Sequence, residues 1–481
     1  MSNYKTVFFI LGVLQIILGI FMTIPIVVQV VYGEFDSSFV IASIITLVFG
    51  ILFTLSNFDY DKQINLHQAF LLTSLSWITI AIFGALPLFF SKLDLSFTNA
   101  FFESMSGITT TGSTIITDLE GTPKSILLWR ALLQWLGGIG IIVMAITLMP
   151  IMNVGVMLLF KVLNTDSTNE ILPSSKEISI KLILIYIILT LLCGFSYKVF
   201  GMNIFDSLTH SMTTIATGGF SNYNDSIGHF DNTKIELTAI LFIILGSIPF
   251  IAYIKFLSGN KKIFLSDSQI KTFIKLIIFS IIILFCYLLI KDNNFSISNV
   301  RSVSFNVISI LTGTGYVTKE FDQWGSFPLF YFLILMFIGG CAGSTTCGVK
   351  IFRVQILYRF ILNQLKKVIY PRGIFVIKYE NNHVNDKFLA SIISFMYLYV
   401  IIFFVLTALL SLTGLDFVTS ISGAATSISN VGPGLGSIIG PNGNFYQLPD
   451  LSKWILSAGM ILGRLELFAI LVLFLPSFWR N

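Results

Sequence analysis

FFESMSGITTTGS (101–113), FDSLTHSMTTIATGGF (205–220), VSFNVISILTGTGY (303–316) and TSISGAATSISNVGPG (419–434) are four versions of one pattern. Each is a short apolar-polar run ending in a polar turn centred on glycine. Each lies between two apolar stretches long enough to cross a bilayer, which takes about 20 residues. The unit of span, short segment, glycine turn and span therefore recurs over 68–150, 178–257, 270–362 and 387–476. One glycine-rich turn between spans would mean little. Four in register are evidence of architecture.

The surrounding composition agrees. Of 481 residues, 55% are hydrophobic and only 11% charged, against about 25% charged in a soluble domain. The excess apolar surface needs lipid as its solvent, so a single-core soluble fold and a disordered chain are both excluded. Spans are expected near 7–31, 38–56, 68–92, 125–150, 178–201, 234–257, 270–291, 327–362, 387–413 and 453–476. The first is too long for a signal-peptide core and has no small-residue cleavage site. The eighth is too long for one crossing, and GGCAGSTTCG (339–348) interrupts it. Non-helical backbone at that depth survives only where protein buries it or it lines a watery cavity.

Loop charge predicts orientation. Lys255, Lys261, Lys262, Lys271 and Lys275 fall in one loop region. Lys350, Arg353, Arg359, Lys366, Lys367, Arg372, Lys378 and Lys387 fall in another. The positive-inside rule makes both cytoplasmic, and with them both termini. The glycine turns then share the outer face. The expected fold is an all-α integral membrane protein with ten transmembrane helices plus four re-entrant pore helices. These make four pseudo-symmetric repeats around one pore, preceded by an extra two-helix region, 1–60.

The short segments suit a cation. A helix of 12 residues covers about 18 Å and cannot cross, so it dips in and returns. Its carbonyl end then points to the membrane centre, where the dipole favours positive charge. Asp206 and Asp416 sit at or near two of the starts, the end that favours an acid. Glycine at the turn opens backbone conformations closed to other residues. Four such turns on one axis can offer rings of carbonyl oxygens in place of an ion's water shell.

These residues resemble the bacterial Trk/Ktr/HKT potassium-uptake superfamily, most closely its TrkH transmembrane-subunit branch. The resemblance rests on SGITTTGST (106–114), MTTIATGGFS (212–221), GTGYVT (313–318), GGCAGSTTCGVKIFR (339–353), SNVGPG (429–434) and GRLELF (463–468). The two extra spans before residue 57 fit that branch. The resemblance implies potassium uptake through a four-repeat pore and a homodimer in a bacterial cytoplasmic membrane. It also implies a cytosolic ring of nucleotide-binding, TrkA-like regulators. Glycine at the first filter position goes with potassium selectivity, whereas serine there loosens it toward sodium. Cys347 departs from the pattern, which has glycine there.

The expected selectivity filter is Thr110, Thr111 and Gly112; Ala216, Thr217 and Gly218; Gly313, Thr314 and Gly315; and Asn430, Val431 and Gly432. Each would present backbone carbonyls to dehydrated potassium, the transported ion. A gate is expected in Gly339, Gly340, Gly343, Ser344, Thr345, Thr346 and Gly348, with Arg464 beneath the filter. The bland reading of 339–348 is a packed helix kink. That of Arg464 is a carbonyl contact between helices. Glu466, two positions on, points to another face and makes a poor partner for Arg464. Lys350 and Arg353 read as markers of the inner boundary or as regulator contacts. Cys193, Cys286, Cys341 and Cys347 read as small packing residues. His210 and Glu103 read as hydrogen-bonded structural groups, Glu103 with a possible role at the outer mouth.

A proton- or sodium-coupled symporter is the alternative within transport. Its usual inverted repeats are absent, since all four turns face the same way. A membrane enzyme would need converging acids, histidines or metal ligands. The four histidines are scattered at 67, 210, 229 and 383. No organic cofactor site is expected, since neither a Walker motif nor a dinucleotide fingerprint occurs. The chain also lacks a basic stripe with interleaved aromatics, which argues against nucleic acid.

Overall fold

The computed structural model describes residues 4–60, 64–147, 175–292, 296–380 and 382–480. The end of the expected span 125–150 lies outside them. Seven described helices are long and apolar enough to cross a bilayer: Lys5–Tyr32, Ser38–Ser56, Leu66–Phe89, Lys124–Met144, Glu177–Val199, Ser268–Lys291 and Asp386–Leu412. Their outward faces carry bare apolar side chains such as Leu191, Phe195, Phe279 and Phe404. Exposed apolar surface on that scale is a membrane-facing surface.

Ten uninterrupted crossings do not appear. The expected span 234–257 is two helices, Thr233–Ser247 and Phe250–Leu257, bent by 86°. Pro249 causes the break, since it has no N–H to continue the ladder and starts the second helix. The expected span 453–476 is bent by 108° after Asp450–Arg464. There Glu466 and Leu467 take left-handed φ of 56° and 60°. The expected span 327–362 is an apolar helix, Ser326–Phe337, and a basic amphipathic one, Ile351–Ile369, separated by the glycine-rich loop. A two-residue hairpin, Lys378–Tyr379 with Asn382–His383, is a minor addition to a helical fold.

Four short helices stand between these elements: Phe97–Ile108, Ile204–Ile215, Ile297–Leu311 and Phe417–Ser429. Side-chain caps fix three of their starts. Ser96 accepts from Asn99 N–H, Asn203 from Asp206 N–H and Asp416 from Thr419 N–H. Asp206 is thus three residues inside its helix rather than at the cap. It accepts from Asn203, Asn222 and Tyr223 side chains at 2.6 to 2.8 Å. The helices are polar yet buried: Ser104, Ser106, Thr214, Ser309, Thr426 and Ser427 are all fully covered.

The extra N-terminal pair packs through small residues. A Cβ on Gly50 would come within 2.8 Å of Ile16 N, and one on Gly12 within 2.8 Å of Gly50 O. Close backbone approach of this kind is how helices associate in lipid.

The cap at Asp416 yields a test. Asp416→Ala is expected to cost about 1 kcal/mol near neutral pH, the usual value of an N-cap. Hydrogen bonds from Thr419 hold the Asp416 carboxyl below the ordinary carboxylate range. Its contribution is therefore present above the unfolded-chain value of about 3.9 and disappears as pH falls through the lowered folded value. Thermal unfolding of both proteins in detergent across an acid titration would read the difference.

Candidate functional site: a ring of four turns

All four short helices end in the same way. The N–H groups of Thr110, Thr217, Gly313 and Asn430 donate three residues back, to Gly107, Thr214, Ile310 and Ser427. The next N–H groups, on Thr111, Gly218, Thr314 and Val431, donate five residues back, to Ser106, Thr213, Ser309 and Thr426 at 2.9 to 3.1 Å. This pair of bonds is a Schellman ending, which requires a left-handed residue. Thr110, Thr217, Gly313 and Asn430 have φ of 53°, 49°, 71° and 52°. A β-branched threonine there is a true outlier costing on the order of 1–3 kcal/mol, and such strain collects at functional sites.

These bonds define the register. Thr110-Thr111-Gly112 corresponds to Thr217-Gly218-Gly219, to Gly313-Thr314-Gly315 and to Asn430-Val431-Gly432. Three triads fall where the sequence places them. The second moves by one residue: Ala216 is an ordinary right-handed helix cap with φ of −69°, and Gly219 takes the third position. The paired glycines of TGG hide this shift in the sequence.

The turns close on one another. A Cβ on Gly112 would lie 2.3 Å from Gly218 O; on Gly219, 1.9 Å from Thr314 O; on Gly315, 2.1 Å from Val431 O; on Gly432, 2.8 Å from Thr111 O. Each turn's glycine thus rests on the second carbonyl of the next turn, from the first turn through the fourth and back to the first. All four glycines line one small cavity of about 70 Å³. Ser113 Oγ donates to Gly432 O at 2.7 Å, and Asn430 Nδ2 to Thr111 Oγ1 at 2.9 Å. In the loop beside this mouth, burial raises the Asp322 carboxyl above the ordinary carboxylate range.

Below the ring lies 339–348. The loop is tied at its neck by Gly339 N–H to Val349 O at 2.9 Å and Val349 N–H to Phe337 O at 3.0 Å. It fills the bend in the second repeat: Cys341 N–H donates to Ser247 O, Thr345 N–H to Gly246 O, and Phe250 N–H to Gly343 O. Thr345 Oγ1 meets Ile215 O at 3.1 Å, Gly246 O at 3.0 Å and Thr217 Oγ1 at 3.1 Å. Cys347 Sγ lies 3.9 Å from Thr110 Oγ1 and also contacts Arg464. Arg464 is buried and donates to Gly137 O at 3.0 Å and Thr345 O at 3.3 Å. The loop therefore reaches the first turn through Cys347 and the second through Thr345, and Arg464 is bonded to the loop. Gly340 and Gly343 belong to the same loop; Ser344 and Thr346 share a hydroxyl bond of 2.7 Å.

Lys350 and Arg353, expected as boundary markers or regulator contacts, lie inside the protein. Lys350 donates to Thr346 O, and Arg353 pairs with Glu466 at 2.7 Å. Of the cysteines, Cys286 is exposed and the other three are buried. The residues that the sequence reading passed over are Arg130 and Gln134. Gln134 Nε2 donates to Gly218 O at 2.5 Å, and its Oε1 accepts from Phe220 N–H at 3.0 Å. Two polar side chains four apart in an apolar span share one helix face, which was the signal available.

This is a multi-pass helical membrane protein whose four quasi-equivalent turns meet around one axis. Residues 36–480 match the model of the TrkH family, described as cation transport protein. The chain is 40% identical to the Trk system potassium uptake protein TrkI of Halomonas elongata, over 98% of this chain and 96% of that one. It is 34% identical to the Trk system potassium uptake protein TrkH of Escherichia coli, over the full length of both. The crystal structure of the potassium transporter TrkH from Vibrio parahaemolyticus superposes with a TM-score of 0.90 at 31% identity, covering all of each chain. The chain belongs to the TrkH family, a family of transporters and not of enzymes.

The register carries its own test. Gly219→Ala is expected to reduce cation uptake at least ~10-fold, the equivalent of ~1.4 kcal/mol. Ala216→Gly is expected to leave uptake near wild type. Rubidium uptake normalised to membrane-inserted protein would separate the two; equal effects would remove the shifted register.

Proposed function

We propose that this chain takes up potassium across a bacterial cytoplasmic membrane through a four-repeat pore, with the four turns as its selectivity filter. The observation that carries this reading is the closed ring: four carbonyls set against four glycines, with the glycines lining one cavity. Carbonyl dipoles held at fixed separation replace the hydration of a large monovalent ion. The named function of the similar proteins supports potassium as the ion.

In this reading the ten crossings are the seven long helices, the two bent pairs and the interrupted pair of the third repeat. The four short helices enter from the outer face, and both termini are cytoplasmic. The loop 339–348 and Arg464 form the gate. A buried guanidinium bonded to carbonyls raises the electrostatic barrier to a cation directly under the filter. The protein works as a homodimer in the lipid bilayer, controlled by a cytosolic nucleotide-binding ring of the TrkA kind. The exposed basic surface of Ile351–Ile369, which begins at the loop, is a suitable docking face. The resemblance noted above supports both partners.

Three experiments test the reading. In cells lacking potassium uptake, the chain is expected to restore growth on low potassium, more strongly with its cytosolic partner present. Gly112→Ser is expected to lower the potassium-over-sodium ratio in isotope uptake; full selectivity in that mutant would remove the first turn from the filter. Deletion of 340–346, or Arg464→Ala, is expected to raise single-channel conductance or flux. Unchanged flux in inserted protein would rule out the gate.

A further inference from the structure

Behind the ring, each short helix braces its own outgoing strand from a matching position. Seven residues before the left-handed residue stand Glu103, His210, Asn306 and Gly423. Glu103 Oε2 accepts from Ile115 N–H at 2.8 Å. His210 Nε2 meets Ser221 Oγ at 3.0 Å. Asn306 Oδ1 accepts from Thr318 N–H at 3.3 Å. In the fourth repeat the neighbouring Ser422 substitutes for glycine and accepts from Leu435 N–H at 3.0 Å.

The first brace differs in chemistry. Glu103 is fully buried and pairs with Arg130 Nε at 2.7 Å. Arg130 Nη1 donates to Ser221 O at 2.9 Å, and Nη2 to Thr114 Oγ1 at 3.2 Å. Thr114 in turn donates to Glu103 at 3.0 Å. The guanidinium also lies 4.1 Å over the Phe220 ring. One buried ion pair thus holds the strand after the first turn and, through Arg130, the strand after the second. Between those strands lies the contact of Gly112 with Gly218 O. Asn306 shows that a neutral amide suffices to hold a turn's own strand. The charge in the first repeat is needed for the reach to its neighbour.

We propose that Glu103 and Arg130 are positioning residues for ion selection, fixing the separation of the first and second turns so that the ring cannot contract onto a smaller cation. The inference rests on the reading of the four turns as the filter. Arg130 also lines the cavity shared by the four glycines, and Glu103, fully buried behind it, balances its charge there.

The test uses the full-length protein in liposomes, with the potassium-to-sodium permeability ratio taken from reversal potentials and the thermal midpoint measured on the same samples. Glu103→Gln and Arg130→Gln are each expected to lower the ratio roughly tenfold, the equivalent of ~1.4 kcal/mol between the ions, while rubidium still passes. Each also leaves an uncompensated buried partner and lowers the midpoint. The double variant removes both charges, so its midpoint recovers; its ratio stays low, because two glutamines do not span the gap. A ratio that recovers together with the midpoint would make the pair a stability device and overturn the proposal. Thr114→Val keeps the pair and the Glu103–Ile115 bond and removes only the hydroxyl that ties Arg130 and Glu103 to the chain after the first turn. It is expected to move the ratio in the same direction, and it decides the matter if the charge variants fail to insert: an unchanged ratio overturns the proposal. Gly112→Ser is the control. Lost selectivity there with wild-type ratios in the Glu103 and Arg130 variants would refute the brace and leave the filter intact. Wild-type ratios in all of them would bring down both.

Discussion

The structure depends on a backbone contact in which side chains have no part. Thr111, Gly218, Thr314 and Val431 each place a carbonyl oxygen where the neighbouring glycine would carry its Cβ. The four glycines also hold φ between 76° and 111°. Two independent constraints therefore fall on the same positions: the conformation excludes an L side chain, and so does the space. Alanine at any one of them would have to push a carbonyl, and the ring transmits that push to the next turn. The four turns form one object.

The price of such an object in lipid is exposed backbone, and the fold settles that debt internally. Non-helical chain at membrane depth must find hydrogen-bond partners in protein or water. The bend at Pro249 frees carbonyls at Gly246 and Ser247, and the third-repeat loop supplies N–H groups from Thr345 and Cys341. The bend after Arg464 leaves that side chain free to donate to Thr345 O and Gly137 O. Three broken helices thus satisfy one another at one level beneath the ring.

Much of this was legible in the sequence because apolar length and glycine punctuation are local signals. The four short helices, their turns and the interrupted third repeat follow from them. The bends in the second and fourth repeats were not legible. IPF (248–250) and GRLELF (463–468) sit inside runs as apolar as any unbroken span, and hydropathy carries no angle. The register of the second turn was not legible because Thr217-Gly218-Gly219 offers two glycines, and only the folded backbone tells which one meets Thr314 O. Lys350 and Arg353 looked like boundary charges because the positive-inside rule counts charge along the chain. The pairing of Arg353 with Glu466, 113 residues on, is a long-range fact.

The repeats differ most where they are held and least where they meet. At the meeting point all four supply glycine. Seven residues before the left-handed residue they supply glutamate, histidine, asparagine and glycine, with serine taking over in the last. A backbone contact tolerates no variation because its tolerance is set by atomic radii. A brace tolerates much, since an amide, a hydroxyl, an imidazole or a carboxylate can each engage a strand. Such divergence makes the ring chemically asymmetric around an axis that is geometrically near-symmetric. The first two turns are joined by a buried ion pair and by Gln134, whereas Asn306 and Ser422 brace the third and fourth turns each on its own outgoing chain. A single chain carrying four repeats can tune each quadrant separately, which four identical subunits cannot do.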